Sequence, residues 1–222
     1  MAQMPEKVFR VSVLGGFSLA YGEQSIVSIN TVRLQSLLAY LILHADTPQP
    51  RQHVAFLLWP DTSESNARNN LRQFLHQLRQ ALPDPDRLLS VTAQTLCWQT
   101  DGDQIIDVQR FERALANAAA ADQRADWNSA QQWLEEALST YQGDLLPGCY
   151  DEWITPERDR LRQQCLAAHQ KLVYLQEQQR DYPGALQVAQ ALLRLDPLDE
   201  STYITLMRLH DLNHDRPAAR RV

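Results

Sequence analysis

Along residues 65–82 apolar side chains recur at steps of three and four: Ala67, Leu71, Phe74, Leu75, Leu78 and Leu82. That spacing sets them on one stripe of a helix of about five turns. The opposite face carries Arg68, Asn69, Arg72, Gln73, His76, Arg79 and Gln80, with no Asp or Glu from 65 to 82. The same spacing predicts a helix over residues 32–43, through Leu34, Leu37, Leu38, Leu41 and Ile42, with Thr31 as N-cap. Pro50 opens another, over 50–59, turned inward by Val54, Leu57 and Leu58. Asp61, Thr62 and Ser63 are the candidate caps of the 65–82 helix.

Ahead of these helices, residues 8–21 alternate and predict two short strands about Gly15-Gly16, with a third over 25–29. Behind them, Leu88, Leu89 and Val91, then Leu96, Cys97 and Trp98, flank Thr92-Ala93-Gln94-Thr95, which reads as a hairpin with a polar tip. Strands, three helices and a hairpin follow in that order in a winged helix. Its third helix enters the major groove and its hairpin lies along the backbone. The opening strands point to the subtype with an extra N-terminal sheet.

A polar connector at 101–107 leads into a helical pattern: helices over 107–121, 126–140, 157–179, 183–195 and 199–213. Asp181-Tyr182-Pro183-Gly184-Ala185 recurs 34 positions later as Asp215-Arg216-Pro217-Ala218-Ala219, and Leu172 and Leu175 recur as Leu206 and Leu209. Thirty-four is the tetratricopeptide period. An earlier copy opens at Asp126-Trp127-Asn128-Ser129-Ala130, and the excess before the next is a loop at 141–156. Trp153 and Leu146 are expected to be buried and to hold that loop against the helical domain. A helix opening at Pro217 cannot bury its apolar face by Val222, so the chain is expected to be a fragment of a longer protein. The fold class expected is mainly α with small β. A winged helix-turn-helix over 1–100 precedes a tetratricopeptide-like α-helical domain over 101–222, truncated at its C-terminal end.

Composition narrows the location: 44% hydrophobic and 22% charged is globular. No run of about 18 apolar residues predicts a membrane span. The first thirty residues lack a basic patch followed by an apolar core, so no signal peptide is expected. Cys97, Cys149 and Cys165 are odd in number and widely spaced, fitting neither a disulfide framework nor a zinc site. Together these point to the cytoplasm. The net charge of −6 argues against a nucleic-acid partner, but it is unevenly spread. Residues 1–100 hold eight Lys+Arg and seven Asp+Glu, leaving 13 and 20 for the rest. Two domains with different partners fit that asymmetry.

The acid-free helix face fits duplex DNA. Arg grips guanine O6/N7, Asn or Gln grips adenine N6/N7, and further Arg neutralises phosphate. The candidate DNA contacts are therefore Arg68, Asn69, Arg72, Gln73, His76 and Arg79. Arg87, before the hairpin, and Arg33 with Gln35, near the start of the 32–43 helix, are candidates for the backbone. A solvated amphipathic helix is the plain alternative. His210 and His214, four apart, have no third ligand for a metal. Trp127, Trp133, Trp153, Tyr141 and Tyr150 read as core and loop anchors. No catalytic constellation or phosphate loop is present, so neither an enzyme nor a cofactor is expected.

Several stretches together resemble the bacterial transcriptional activator domain family, best known from the antibiotic regulatory proteins of actinomycetes. They are Leu14-Gly15-Gly16-Phe17, Leu58-Trp59-Pro60-Asp61, and Ala67-Arg68-Asn69 with Leu71-Arg72 and Leu78-Arg79. Asp107 with Phe111 follows, then Tyr141-Gln142-Gly143-Asp144-Leu145-Leu146-Pro147 with Trp153 and Glu157-Arg158. The resemblance implies an OmpR-like winged helix before a tetratricopeptide-like domain. It also implies a DNA-binding activator that recruits RNA polymerase; the winged helix is expected to read promoter direct repeats and the helical domain to mediate homodimerisation or polymerase contact, and with no long apolar run no membrane partner is expected. Phe74, His76 and Gln77 make the reading helix poorer in arginine than many relatives. The rival function is a protein-interaction adaptor whose winged helix has lost DNA affinity; it has no need of the acid-free face.

Overall fold

A computed structural model describes residues 8–100, 103–219 and 221. Residues 1–7, Asp101, Gly102, Arg220 and Val222 lie outside the described residues. In chain order come β1 (Phe9–Ser12), β2 (Ser18–Tyr21), β3 (Gln24–Ser25), α1 (Val32–Leu43), β4 (Gln49–Pro50), α2 (Arg51–Leu58) and α3 (Glu64–Ala81). Then follow α4 (Pro85–Leu88), β5 (Leu89–Val91), β6 (Thr95–Trp98), β7 (Gln104–Ile106), α5 (Asp107–Gln123) and α6 (Trp127–Thr140). The last are α7 (Ile154–Gln178), α8 (Tyr182–Leu195), α9 (Glu200–Leu212) and α10 (Arg216–Ala219). The chain divides into two compact units: Met1–Gln109 with Gly143–Arg158, and Arg110–Gln142 with Asp159–Val222.

The first unit is a winged helix behind a four-stranded sheet. Its helices α1 to α3 bury Leu34, Leu37, Leu38, Leu41, Val54, Leu58, Leu71 and Leu78. Thr31 caps α1 and Ser63 caps α3, each accepting from the N–H three residues on. The sheet order is β3-β2-β1-β7, with β7 parallel to β1. The expected connector at 101–107 thus contains a strand. It was hidden because only Ile106 of β7 is buried and no alternation marks it. The expected strand at 25–29 is only Gln24–Ser25. The chain turns where Ile26 N donates to Leu19 O, leaving Ile29 buried and Val27 exposed.

A single boundary near residue 100 does not describe these units. Asp107 accepts from Val13 N and Leu14 N, both at 2.8 Å, fastening the start of α5 to the end of β1. Burial pushes its carboxyl up, against the pull of those N–H bonds and of Val108 N. Segment 143–158 also packs on the first unit, which corrects the expected docking of that loop on the helical domain. Gly15 N donates to Asp144 O, Leu146 N donates to Val13 O, and Leu14 bridges Leu145. The crossing needs a glycine at 143: a Cβ there, at φ +150°, would lie 3.0 Å from Gly15 Cα. Arg158 holds the loop from beneath, donating to the carbonyls of Leu145, Leu146 and Cys149 at 3.0, 2.8 and 2.9 Å. Leu146 is buried as expected. Trp153 is only half-buried, its Nε1 donating to Ser36 Oγ and its ring edge-on to Tyr40.

In the second unit the repeat is visible as geometry. Asp126, Asp181 and Asp215 each accept from the N–H three residues on, at 3.2, 3.1 and 3.1 Å. The residue before each, Ala125, Arg180 and His214, has a positive φ of 55°, 61° and 61°. One turn is therefore used three times. Small residues let the helices close: Ala118, Ala121, Ala130 and Ala168 pack with Leu134, Leu172 and Leu175, and Ala185 and Ala189 with Val173, Leu206 and Leu209.

Candidate nucleic-acid interface

Helix α3 buries Ala67, Leu71, Leu75 and Leu78. Phe74 is half-buried against Trp59, ring centroids 5.2 Å apart and edge-on. That fixes which face is left over: Arg68, Asn69, Arg72, Gln73, His76, Gln77 and Gln80 are exposed and Arg79 half-exposed. Positions 68, 72 and 76 lie one turn apart and share one row. The three arginines differ in their neighbours. Arg68 pairs with Glu64 one turn back, and Arg79 with Asp86. Among the described residues Arg72 has no ion pair. The two pairs are solvent-exposed and worth little, so a phosphate can take the place of either carboxylate.

The wing is a three-stranded sheet, β4-β6-β5, rather than a bare hairpin. Leu89 faces Trp98 and Val91 faces Leu96 across it. Thr92 closes the tip, its Oγ1 accepting from Thr95 N at 2.9 Å and Gln94 N at 3.2 Å. Arg51 ties the tip to the start of α2: its N–H donates to Gln94 O at 2.8 Å and its guanidinium to Thr92 O at 3.1 Å. A cleft of about 570 Å³ lies between the tip, α2 and α3, with Arg51, Arg68 and Arg72 on its walls. The sequence reading missed Arg51. Its signal was position, a basic residue after Pro50 at a helix start, which means little until the wing tip is placed beside it.

The other two candidates sit elsewhere. Arg87 is exposed on α4 and pairs with Asp103 at 2.5 Å. Arg33 is half-buried: its guanidinium pairs with Asp151 at 3.1 Å and donates to Leu58 O, so those donors are turned inward. Among the described residues no cluster of three His, Cys, Asp or Glu side chains is arranged to hold a metal ion. No described helix is long and apolar enough to cross a membrane.

A winged helix followed by a helical repeat unit is the architecture of a transcription regulator. Residues 106–219 match the bacterial transcriptional activator domain, and the chain belongs to that family. The fold is similar to Mycobacterium tuberculosis EmbR, solved in complex with a low affinity phosphopeptide. The TM-score is 0.81 at 19% identity, over 96% of this chain and 57% of that one. This chain thus spans a little over half the length of that protein. A search of the curated proteins finds no match.

Proposed function

We propose that this protein is a sequence-specific DNA-binding transcriptional activator. Helix α3 enters the major groove and presents Arg68, Asn69, Arg72, Gln73 and His76 to base edges and phosphates. Arg79 and Arg87 meet backbone phosphate, and the wing tip lies along the duplex beside Arg51. The observation that carries this reading is the exposed row of Arg68, Arg72 and His76, of which Arg68 and Arg72 wall a cleft with Arg51; its one neighbouring carboxylate, Glu64, is held by Arg68. The net charge of −6 does not oppose it, because the repulsion from distant carboxylates is screened over about 10 Å at 0.1 M salt. The second unit serves RNA polymerase contact and homodimerisation on direct repeats. Leu198, Ile204 and Met207, exposed on and before α9, suit a protein partner rather than DNA.

The test is selection of bound sequences from random duplex DNA, followed by titration of the enriched duplex at two salt concentrations. A shared motif is expected, with a log–log salt slope of roughly −3 if about three phosphates are neutralised. If no sequence enriches and no salt-dependent binding occurs, the adaptor function takes its place.

A further inference from the structure

Behind the reading helix, a carboxylate from segment 143–158 holds the support on which α3 is mounted. Asp151 accepts a hydrogen bond from Ser36 Oγ of α1 at 2.5 Å and pairs with Arg33 Nη1 at 3.1 Å. The Arg33 guanidinium also donates to the carbonyl of Leu58, the last residue of α2. Carbonyls in a last helical turn lack an intrahelical partner, so this one is capped by Arg33. Trp59 follows directly, and its ring meets Phe74 of α3 edge-on. The side chain of Asp151 is 15% exposed against 41% for Arg33, so the acid is the enclosed member of the pair.

We propose that Asp151 is a positioning residue for DNA reading. By fixing Arg33 on the Leu58 carbonyl it sets the elbow between α2 and α3, and so the angle at which Arg68, Arg72 and His76 meet the groove. This rests on the DNA-binding function proposed above. Without the carboxylate the long Arg33 side chain keeps only its bond to the Leu58 carbonyl, with no charge partner to hold it there, and the guanidinium is drawn to water. The α2 end then loses its charge-assisted bond. A recognition row works only when neighbouring residues hold it to a fraction of an ångström. Asp151 lies inside the stretch matching the activator domain, so that domain's sequence contributes a residue to how the winged helix reads.

Simple electrostatics gives the opposite sign. Removing an acid from a DNA-binding protein lowers its repulsion from phosphate and tightens binding. Loss of cognate affinity on neutralising Asp151 is therefore a signature that charge alone cannot produce. The experiment titrates the full chain, Asp151→Asn and Arg33→Gln on the selected duplex and a scrambled one, at two salt concentrations, with a thermal melt of each protein. Expected is about a tenfold loss on the selected duplex in both variants, with scrambled binding and salt slope unchanged. Arg33→Gln carries the same readout should Asp151→Asn melt below the assay temperature. Unchanged or tighter cognate binding in a folded Asp151→Asn overturns the proposal. So does a salt slope reduced by about one unit in Arg33→Gln, which would place Arg33 on a phosphate. A wild-type chain that binds no duplex removes the DNA-binding function and the positioning role with it. A wild-type chain that binds, with both variants equal to it, removes only the role of Asp151.

Discussion

Arg72 and Arg158 are the same residue in two settings. Arg72 stands exposed on α3 with no ion pair, on the wall of a cleft. Arg158 is half-buried and spends its guanidinium on three carbonyls of one loop. The loop carbonyls turn inward, where no helix or strand satisfies them and only Leu146 O also receives a backbone N–H, from Cys149, and a planar fork of donors meets all three at once. On α3 the backbone is already satisfied by the helix, so the side chain is left for a partner. An arginine's role here follows from whether nearby backbone needs donors, not from its charge. Arg33 shows the intermediate case, capping one carbonyl while held by one carboxylate.

The largest effect expected from breaking this contrast is at Arg158. Arg158→Ala leaves the carbonyls of Leu145, Leu146 and Cys149 without these donors and should destabilise the first unit by about 3 kcal/mol. Urea unfolding followed by Trp fluorescence measures it, since Trp98 and Trp153 both lie in that unit. A change under about 0.5 kcal/mol would mean that water serves the carbonyls equally well.

Arg72 should give the reverse pattern. Arg72→Ala is expected to cost about 1–3 kcal/mol of affinity on the selected duplex, with stability unchanged within about 0.5 kcal/mol. Relaxed preference at one base position identifies a base contact; a uniform loss with a salt slope reduced by about one unit identifies a phosphate contact. If neither affinity nor slope moves, the α3 face does not touch DNA.

The contrast also marks what the sequence made legible. Helices α1, α2 and α3 and the wing strands were readable because their partners are close in sequence and their apolar periods are regular. The cap at Thr31 follows from residue type alone, Ser63 is one of three candidates that residue type offers for α3, and the repeat follows from its spacing. Two things were not readable. Strand β7 pairs with β1 through backbone atoms, and its side chains carry no alternating pattern. The loop at 141–156 reads in sequence as an insertion in the helical repeats, because sequence gives its neighbours in the chain and not its partners in space. Yet both halves of its contact stood out as motifs: Leu14-Gly15-Gly16 and Gly143-Asp144-Leu145 meet through the Leu14–Leu145 bridge. At the interface, the face of α3 was legible as a pattern. The inward turn of Arg33 depends on Asp151, 118 positions away, and no local pattern encodes it.

Arg51 sharpens the comparison, because it has both settings at once. Its guanidinium donates to Thr92 O at the wing tip, and it lines the cleft with Arg68 and Arg72. Arg51→Ala should lower stability by about 1 kcal/mol, for one hydrogen bond, and weaken DNA binding as well. A stability loss alone would class it with Arg158, and an affinity loss alone with Arg72. Urea unfolding and the two-salt titration on the same preparation separate these.

The smallest effect tests a base buried without any carboxylate. His169 on α7 is 8% exposed, and its Nδ1 donates to the Cys165 carbonyl at 2.9 Å. Burial holds its pKa below the usual imidazole value, the bond to Cys165 pulls the other way, and the Arg194 charge adds to the lowering. The folded state thus takes up a proton less readily than the unfolded chain. Stability from neutral His169 is complete above the unfolded pKa, about 6.5, and is lost as pH falls from there through the lower folded value. Urea midpoints at pH 7.5 and 5.5 sample that window above the range where most carboxylates titrate. The wild type should lose more stability between them than His169→Gln, whose amide also donates but takes no proton. Equal losses in the two proteins would show that the imidazole charges in place, and that this core admits a lone cation as readily as the loop admits Arg158.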